Sequence, residues 1–92
     1  MPIYHTEGAH IAVTDLSSAV TITNDEDKTR GLIVQALAKN VRYTLSNTTP
    51  TASVGFQLVA GGTERRIDLE YGMSVRFIEE EASANLQYQW VI

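Results

Sequence analysis

Hydrophobic and polar residues alternate with a period of two along most of the chain. This alternation is the pattern of a β-strand that has one face in the protein core and the other in water. It is regular in four segments. The residues predicted to face inward there are Val41, Tyr43 and Leu45; Val54, Phe56 and Leu58; Ile67, Leu69 and Tyr71; and Leu86, Tyr88, Trp90 and Ile92.

Further strands are predicted in segments whose pattern is less regular. The segments HIAVT and AVTIT are short and rich in β-branched residues, which favour strands. GLIVQALA is apolar on both faces, which predicts either a central strand or one covered by another subunit. In MSVRFIEE, Val75 and Phe77 are predicted to point inward, with Ile78 outward. Only the segment from Glu79 to Asn85 allows a helical interpretation, and a helix of that length is too short to be stable alone.

Turn-forming residues separate these segments at intervals of about ten residues. The spacing predicts an all-β fold, a compact antiparallel β-sandwich or small barrel of about seven or eight short strands. The 92 residues suffice for one domain, which we place at residues 9–92. Residues 1–8 are interpreted in two ways. They form an arm that uses Ile3 and Tyr4 to pair with a neighbouring sheet, or they begin the first strand of the same sandwich.

Composition narrows the classes of partner. Eleven acidic residues against seven basic ones give a net charge of −4, which argues against nucleic acid. No apolar run is long enough to span a membrane, and the first residues do not resemble a secretion signal. The chain has no cysteine for a disulfide. Because small domains without such links often gain stability from subunit contacts, we expect a homo-oligomer.

No arrangement of side chains predicts an enzyme or a bound cofactor. His5 and His10 are spaced so that neither a strand nor a helix places them on one face, and a metal site needs more ligands. The acidic loop at residues 24–28 lacks the full calcium-loop pattern and is interpreted as a solvated turn. Three consecutive glutamates, Glu79 to Glu81, are interpreted as a wet strand end rather than a catalytic pair. We therefore predict a protein with no catalytic, cofactor or metal site.

Two stretches in the second half carry a resemblance to a known group. The chain from residue 31 onward resembles small virion structural proteins of tailed bacteriophages and prophages. Ser46-Asn47 departs from the Asp-Gly expected in that group. The matching positions are Asn40, Arg42, Thr44 and Leu45; Thr48 to Ser53 with Gly55, Phe56 and Leu58; Phe77 to Glu80; and Leu86 to Trp90.

The resemblance implies a structural subunit of the virion, made in the host cytoplasm and present in many copies. A capsid cement or decoration protein that binds the major capsid protein or another virion protein is the first choice, with a trimer favoured. A tail or fibre accessory protein is the alternative within that class, and a carbohydrate-binding β-sandwich module is the alternative from another class. The residues expected at protein interfaces are Ile3, Tyr4, Thr48, Thr49, Pro50, Thr51 and Val91.

The loop at residues 48–53 suits contact with a protein. Threonine hydroxyls bond a neighbour's backbone without carrying a charge that must be desolvated. Pro50 and the β-branched threonines have little conformational freedom to lose on binding. An ordinary solvent-facing turn is the competing interpretation of this loop.

Overall fold

The computed structural model describes residues 6–45 and 48–92 and is entirely β. Its strands confirm the fold class predicted from the alternation. The segment considered for a helix instead holds the end of one strand, a turn and the start of the next. The eight strands are β1 (Thr6–Val13), β2 (Val20–Thr23), β3 (Gly31–Leu37), β4 (Val41–Leu45), β5 (Phe56–Leu58), β6 (Arg65–Asp68), β7 (Ser74–Glu79) and β8 (Asn85–Val91).

The strands form two four-stranded sheets whose pairing is nested. One sheet has the order β1-β8-β3-β6, and the other has the order β2-β7-β4-β5. The antiparallel pairs β1–β8, β2–β7, β3–β6 and β4–β5 thus lie one inside the next along the chain. Eight strands wound in this way into two sheets make a jelly roll, one of the architectures of antiparallel sandwiches.

The core lies between the inward faces of the two sheets. β8 and β3 are central in one sheet, and β7 and β4 are central in the other. The apolar residues of GLIVQALA therefore belong to a central strand, which is one of the two alternatives that its composition allowed. The buried apolar residues that form the core cluster are Leu16, Ile22, Leu32, Val34, Ala36, Val41, Tyr43, Leu58, Ile67, Leu69, Val75, Phe77, Ala84 and Leu86.

Several residues predicted to face inward are exposed instead: Leu45, Val54, Phe56, Tyr71 and Ile92. β6 ends at Asp68, and the chain then turns, with the amide of Met73 donating to the carbonyl of Glu70 at 2.9 Å. Tyr71 therefore lies in a turn rather than on the inward face of a strand. Similarly, β5 begins only at Phe56, on the edge of its sheet, so Val54 lies before the strand rather than on its inward face.

The first strand runs along the edge of its sheet beside β8. Thr6 and Glu7 pair with Val91 and Trp90, and the register shifts before Ile11. Residues 1–5, with Ile3 and Tyr4, lie outside the described residues, so the arm remains a prediction. Within the described ranges there is no helix of the length and apolarity needed to cross a membrane.

Candidate interaction surface

An apolar surface lies at the start of the β5 edge strand and the end of β4. Leu45, Val54 and Phe56 are all exposed there, and we call these three residues the β4–β5 patch. They line a shallow depression of about 350 Å³ together with Tyr43 and Thr48. Contiguous exposed apolar surface is uncommon on monomeric proteins and often marks an interaction site.

The Phe56 ring is held in place although it faces solvent. It lies 5.5 Å from the ring of Tyr43, centroid to centroid, and Tyr43 in turn packs at 5.9 Å against the buried Phe77. Phe56 nevertheless remains 62% exposed. An aromatic side chain supported on one side and open on the other is suited to be the anchor of a protein interface, because little conformational entropy is lost when a partner covers it.

The polar loop predicted to make contacts borders this patch. The Thr44 hydroxyl donates to the carbonyl oxygen of Thr48, and the Arg76 guanidinium donates to the Thr49 hydroxyl at 3.3 Å. Thr51 and Val54 pair through two backbone hydrogen bonds of 3.1 and 3.3 Å. The bonds from Thr44 and Arg76 hold the described part of the loop, from residue 48 onward, against β4 and β7, and the Thr51–Val54 bonds close a turn within it.

The predicted interface residues occupy different environments. Thr48, Thr49 and Thr51 are exposed beside the β4–β5 patch, where they are available to a partner. Pro50 and Val91 are buried within the chain, so their side chains offer no surface to a second protein. Of the predicted interface residues that the structure describes, only the three threonines are exposed. The apolar residues beside them were missed, because strict alternation assigned them to the core.

An ion pair lies on the opposite face of the same sheet, since Arg42 and Gln57 alternate with Tyr43 and Phe56. Arg42 Nε donates to Glu80 Oε2 at 2.7 Å, and Gln57 Nε2 donates to the same oxygen at 2.6 Å. Arg42 also reaches the carbonyl of Gly55 at 2.9 Å, which ties β4 to the chain leading into β5. The hydrogen bond from Gln57 and the hydrogen bond and charge of Arg42 lower the pKa of the Glu80 carboxyl. This arrangement stabilises the edge strand that carries Phe56.

The titratable residues considered for chemistry form local pairs. His10 Nε2 and Gln87 Oε1 are 2.6 Å apart on the outer face of the other sheet. Glu81 lies 3.4 Å from the Lys39 ammonium, and Glu80 is held by Arg42. Among the side chains that the structure describes, no three from His, Asp or Glu converge as they would around a metal ion.

Comparison of the chain with protein-family models, with curated proteins and with solved structures finds no match.

Proposed function

We propose that this protein is a structural subunit of a bacteriophage virion, a capsid cement protein that binds the shell through the β4–β5 patch and the neighbouring threonines. The observation that supports this most directly is the exposed Phe56, supported by Tyr43 and bordered by uncharged hydroxyl groups. The sequence resemblance to small virion proteins supplies the class of particle.

The jelly-roll topology is compatible with this role. The same architecture occurs in viral capsid domains, and it also occurs in lectins and in enzymes of the cupin type. Since one fold serves many functions, the proposal depends on the surface and not on the topology.

The chemistry of the surface favours a protein partner. Covering an exposed phenylalanine or valine side chain contributes about 1.5–3 kcal/mol when its burial is complete. Thr48, Thr49 and Thr51 add hydrogen-bonding groups without a charge that must be desolvated. A modest interface is sufficient for a cement protein, because repeated attachment across a lattice multiplies weak affinities.

The mechanism is mechanical. A subunit that spans the junction between capsomers adds contact area where the shell is weakest and so raises the barrier to its rupture. Each subunit needs an interface of only about 800 Å² per partner, the size of an ordinary protein complex. We also propose self-association, with a trimer favoured.

The test uses heads purified from a phage mutant that lacks this protein. Purified wild-type protein is mixed with these heads and sedimented, and the number of bound copies per major capsid protein is measured. We expect saturable binding at a fixed ratio, and heads that rupture at a higher temperature. Phe56→Ser is expected to weaken binding at least tenfold, which corresponds to about 1.4 kcal/mol.

Thr21→Ser is the matched control, because Thr21 is exposed on β2 at the opposite edge of the same sheet. It should bind like wild type, and circular dichroism should show that both variants are folded. Binding to purified tails and not to heads would move the assignment to a tail or fibre protein. Binding to neither, or equal binding by Phe56→Ser, would contradict the proposal. Light scattering of the free protein separately distinguishes a trimer from a monomer.

A further inference from the structure

A second concave surface lies at the end of the sandwich where the β2–β3 connection meets the end of β6. It is an open groove of about 510 Å³. We call it the Tyr71 groove, after the side chain at its rim. Its charged and aromatic lining residues are Asp27, Arg30, Arg66, Asp68, Glu70 and Tyr71.

The two sides of the groove are fixed to each other by one buried side chain and by backbone hydrogen bonds. Asn24 Nδ2 donates to the carbonyl oxygens of Thr29 at 2.8 Å and Leu69 at 2.7 Å. The Gly72 amide donates to the carbonyl of Asn24 at 2.8 Å, and the Leu69 amide donates to that of Arg30 at 2.9 Å. The backbone on both sides is therefore positioned before any ligand arrives, which reduces the entropic cost of binding.

The groove contains hydrogen-bond donors and acceptors, only some of which pair with each other. Arg66 pairs with Asp68 at 2.9 Å. Within the described residues, the side chains of Asp27, Arg30 and Glu70 form no ion pair or hydrogen bond. Three carboxylates disfavour a phosphate or another anion, and two guanidinium groups disfavour a metal cation. A neutral ligand with closely spaced hydroxyl groups fits both kinds of side chain.

Tyr71 supplies an apolar contact at the rim of this polar groove. Its side chain is 65% exposed, although the alternation predicted it in the core. An exposed aromatic ring packs against the C–H face of a pyranose, while carboxylates and guanidinium groups bond the hydroxyls of the sugar edge. The volume lies within the range of about 300–1,000 Å³ that is usual for small-ligand sites.

We propose that the Tyr71 groove binds a neutral saccharide, with one pyranose ring stacked on Tyr71 and its hydroxyl groups bonded by Arg30, Asp27 and Glu70. This activity goes beyond the structural role proposed above and uses a different surface. On a particle it would provide a weak contact with a glycan, repeated in every copy of the subunit.

The experiment is a titration of the isotope-labelled protein with maltose, lactose, cellobiose and N,N′-diacetylchitobiose, followed by amide chemical shifts. We expect at least one of these disaccharides to give saturable shifts at residues 24–30 and 66–72. Tyr71→Ala is expected to weaken the affinity for it at least tenfold, and Arg30→Met is expected to weaken it as well.

Phe56→Ala is the matched control, because Phe56 is almost as exposed as Tyr71 but lies in the β4–β5 patch. It should bind the disaccharide like wild type and should bind heads at least tenfold more weakly. Tyr71→Ala should do the reverse, so the two proposals fail separately. The groove proposal is overturned if none of the four disaccharides gives saturable shifts there, or if folded Tyr71→Ala binds like wild type.

Discussion

The side-chain amide of Asn24 donates a hydrogen bond of 2.7 Å to the carbonyl oxygen of Leu69, a residue 45 positions further along the chain. Asn24 is almost completely buried, and its Oδ1 also accepts from the backbone amide of Glu26 at 3.0 Å. One side chain thereby satisfies backbone groups in two separate segments at the end of the sandwich. A buried polar group with several partners is costly to remove, since each abandoned partner must be desolvated without compensation.

We predict that Asn24→Ala lowers the free energy of unfolding by about 2–4 kcal/mol, because it leaves two buried carbonyls and one amide without their partner. Urea denaturation followed by Trp90 fluorescence measures the change. The control is Asp25→Ala at the adjacent, exposed position, which should change stability by less than about 0.5 kcal/mol. Equal effects of the two substitutions would show that the Asn24 hydrogen bonds do not stabilise the fold.

Gly31 of β3 lies directly against the backbone of β6 at Ile67. A Cβ added there would overlap the carbonyl oxygen of Ile67, which belongs to the backbone and cannot rotate away. We predict that Gly31→Ala lowers the free energy of unfolding by about 2–3 kcal/mol through this overlap. Thermal or urea denaturation measures the loss.

Gly61→Ala separates that steric cost from the cost of backbone conformation. Gly61 has a φ of +72°, but a Cβ there would meet nothing within 4 Å. Its substitution should cost only about 1 kcal/mol, the penalty of a left-handed conformation for an L-residue. If Gly31→Ala were no more destabilising than Gly61→Ala, the result would contradict the close approach of β3 and β6 at Gly31.

Glu80 should make the stability of the protein depend on pH. Its pKa in the folded protein is lowered, first by the hydrogen bond from Gln57 and then by Arg42. A carboxyl of this kind stabilises the fold fully above its unfolded pKa of about 4.3 and loses that contribution as the pH falls through the folded value. We expect Glu80→Gln to be less stable than wild type at pH 7 and to lose less stability on acidification.

The measurement is urea denaturation at a series of pH values from neutral to below 4. Gln57→Ala removes the largest cause of the lowered pKa but keeps the carboxylate, so its pH dependence should lie between those of wild type and Glu80→Gln. An acid-induced loss of stability that is identical in all three proteins would contradict the assigned role of Glu80.

The C-terminal residues of β8 are required for its sheet. Removal of residues 89–92 deletes the partners of Leu32 and of Thr6 and removes the buried Val91. We predict that this truncation abolishes the native fold, as measured by circular dichroism and solubility. Removal of Ile92 alone, which is about half exposed and outside β8, should leave folding unchanged. A soluble, folded protein without residues 89–92 would refute the prediction.

The alternation of the sequence was sufficient to predict the fold class. A strand with one buried face needs apolar residues at every second position, because a one-residue shift would move them all to the solvent face. Val41, Leu58, Val75 and Leu86 are buried as that pattern requires. The strand order was not predictable from it, since alternation reports which face is buried but not which strand lies alongside.

The candidate surfaces depend on residues at which the alternation continues beyond the end of a strand or onto the edge of a sheet. Tyr71 follows Ile67 and Leu69 in register, yet β6 has already ended, and Tyr71 is exposed in the turn. Phe56 lies on an edge strand that is paired on one side only, and its side chain is 62% exposed. The Tyr71 groove and the apolar residues of the β4–β5 patch were therefore missed, because solvent exposure at strand ends and edges is a property of the tertiary arrangement.

The nested strand pairing has a consequence for how the chain folds. β4 and β5 are consecutive and close a short loop, whereas β1 pairs with β8 across a separation that joins Thr6 to Val91. Loop-closure entropy grows with that separation, so we expect the inner pairs to form first and the outermost pair to close last. Until residues 85–91 have been synthesised, β1 has no strand to dock against. During translation, β1 therefore stays unpaired, and its apolar residues stay exposed, until β8 has been synthesised.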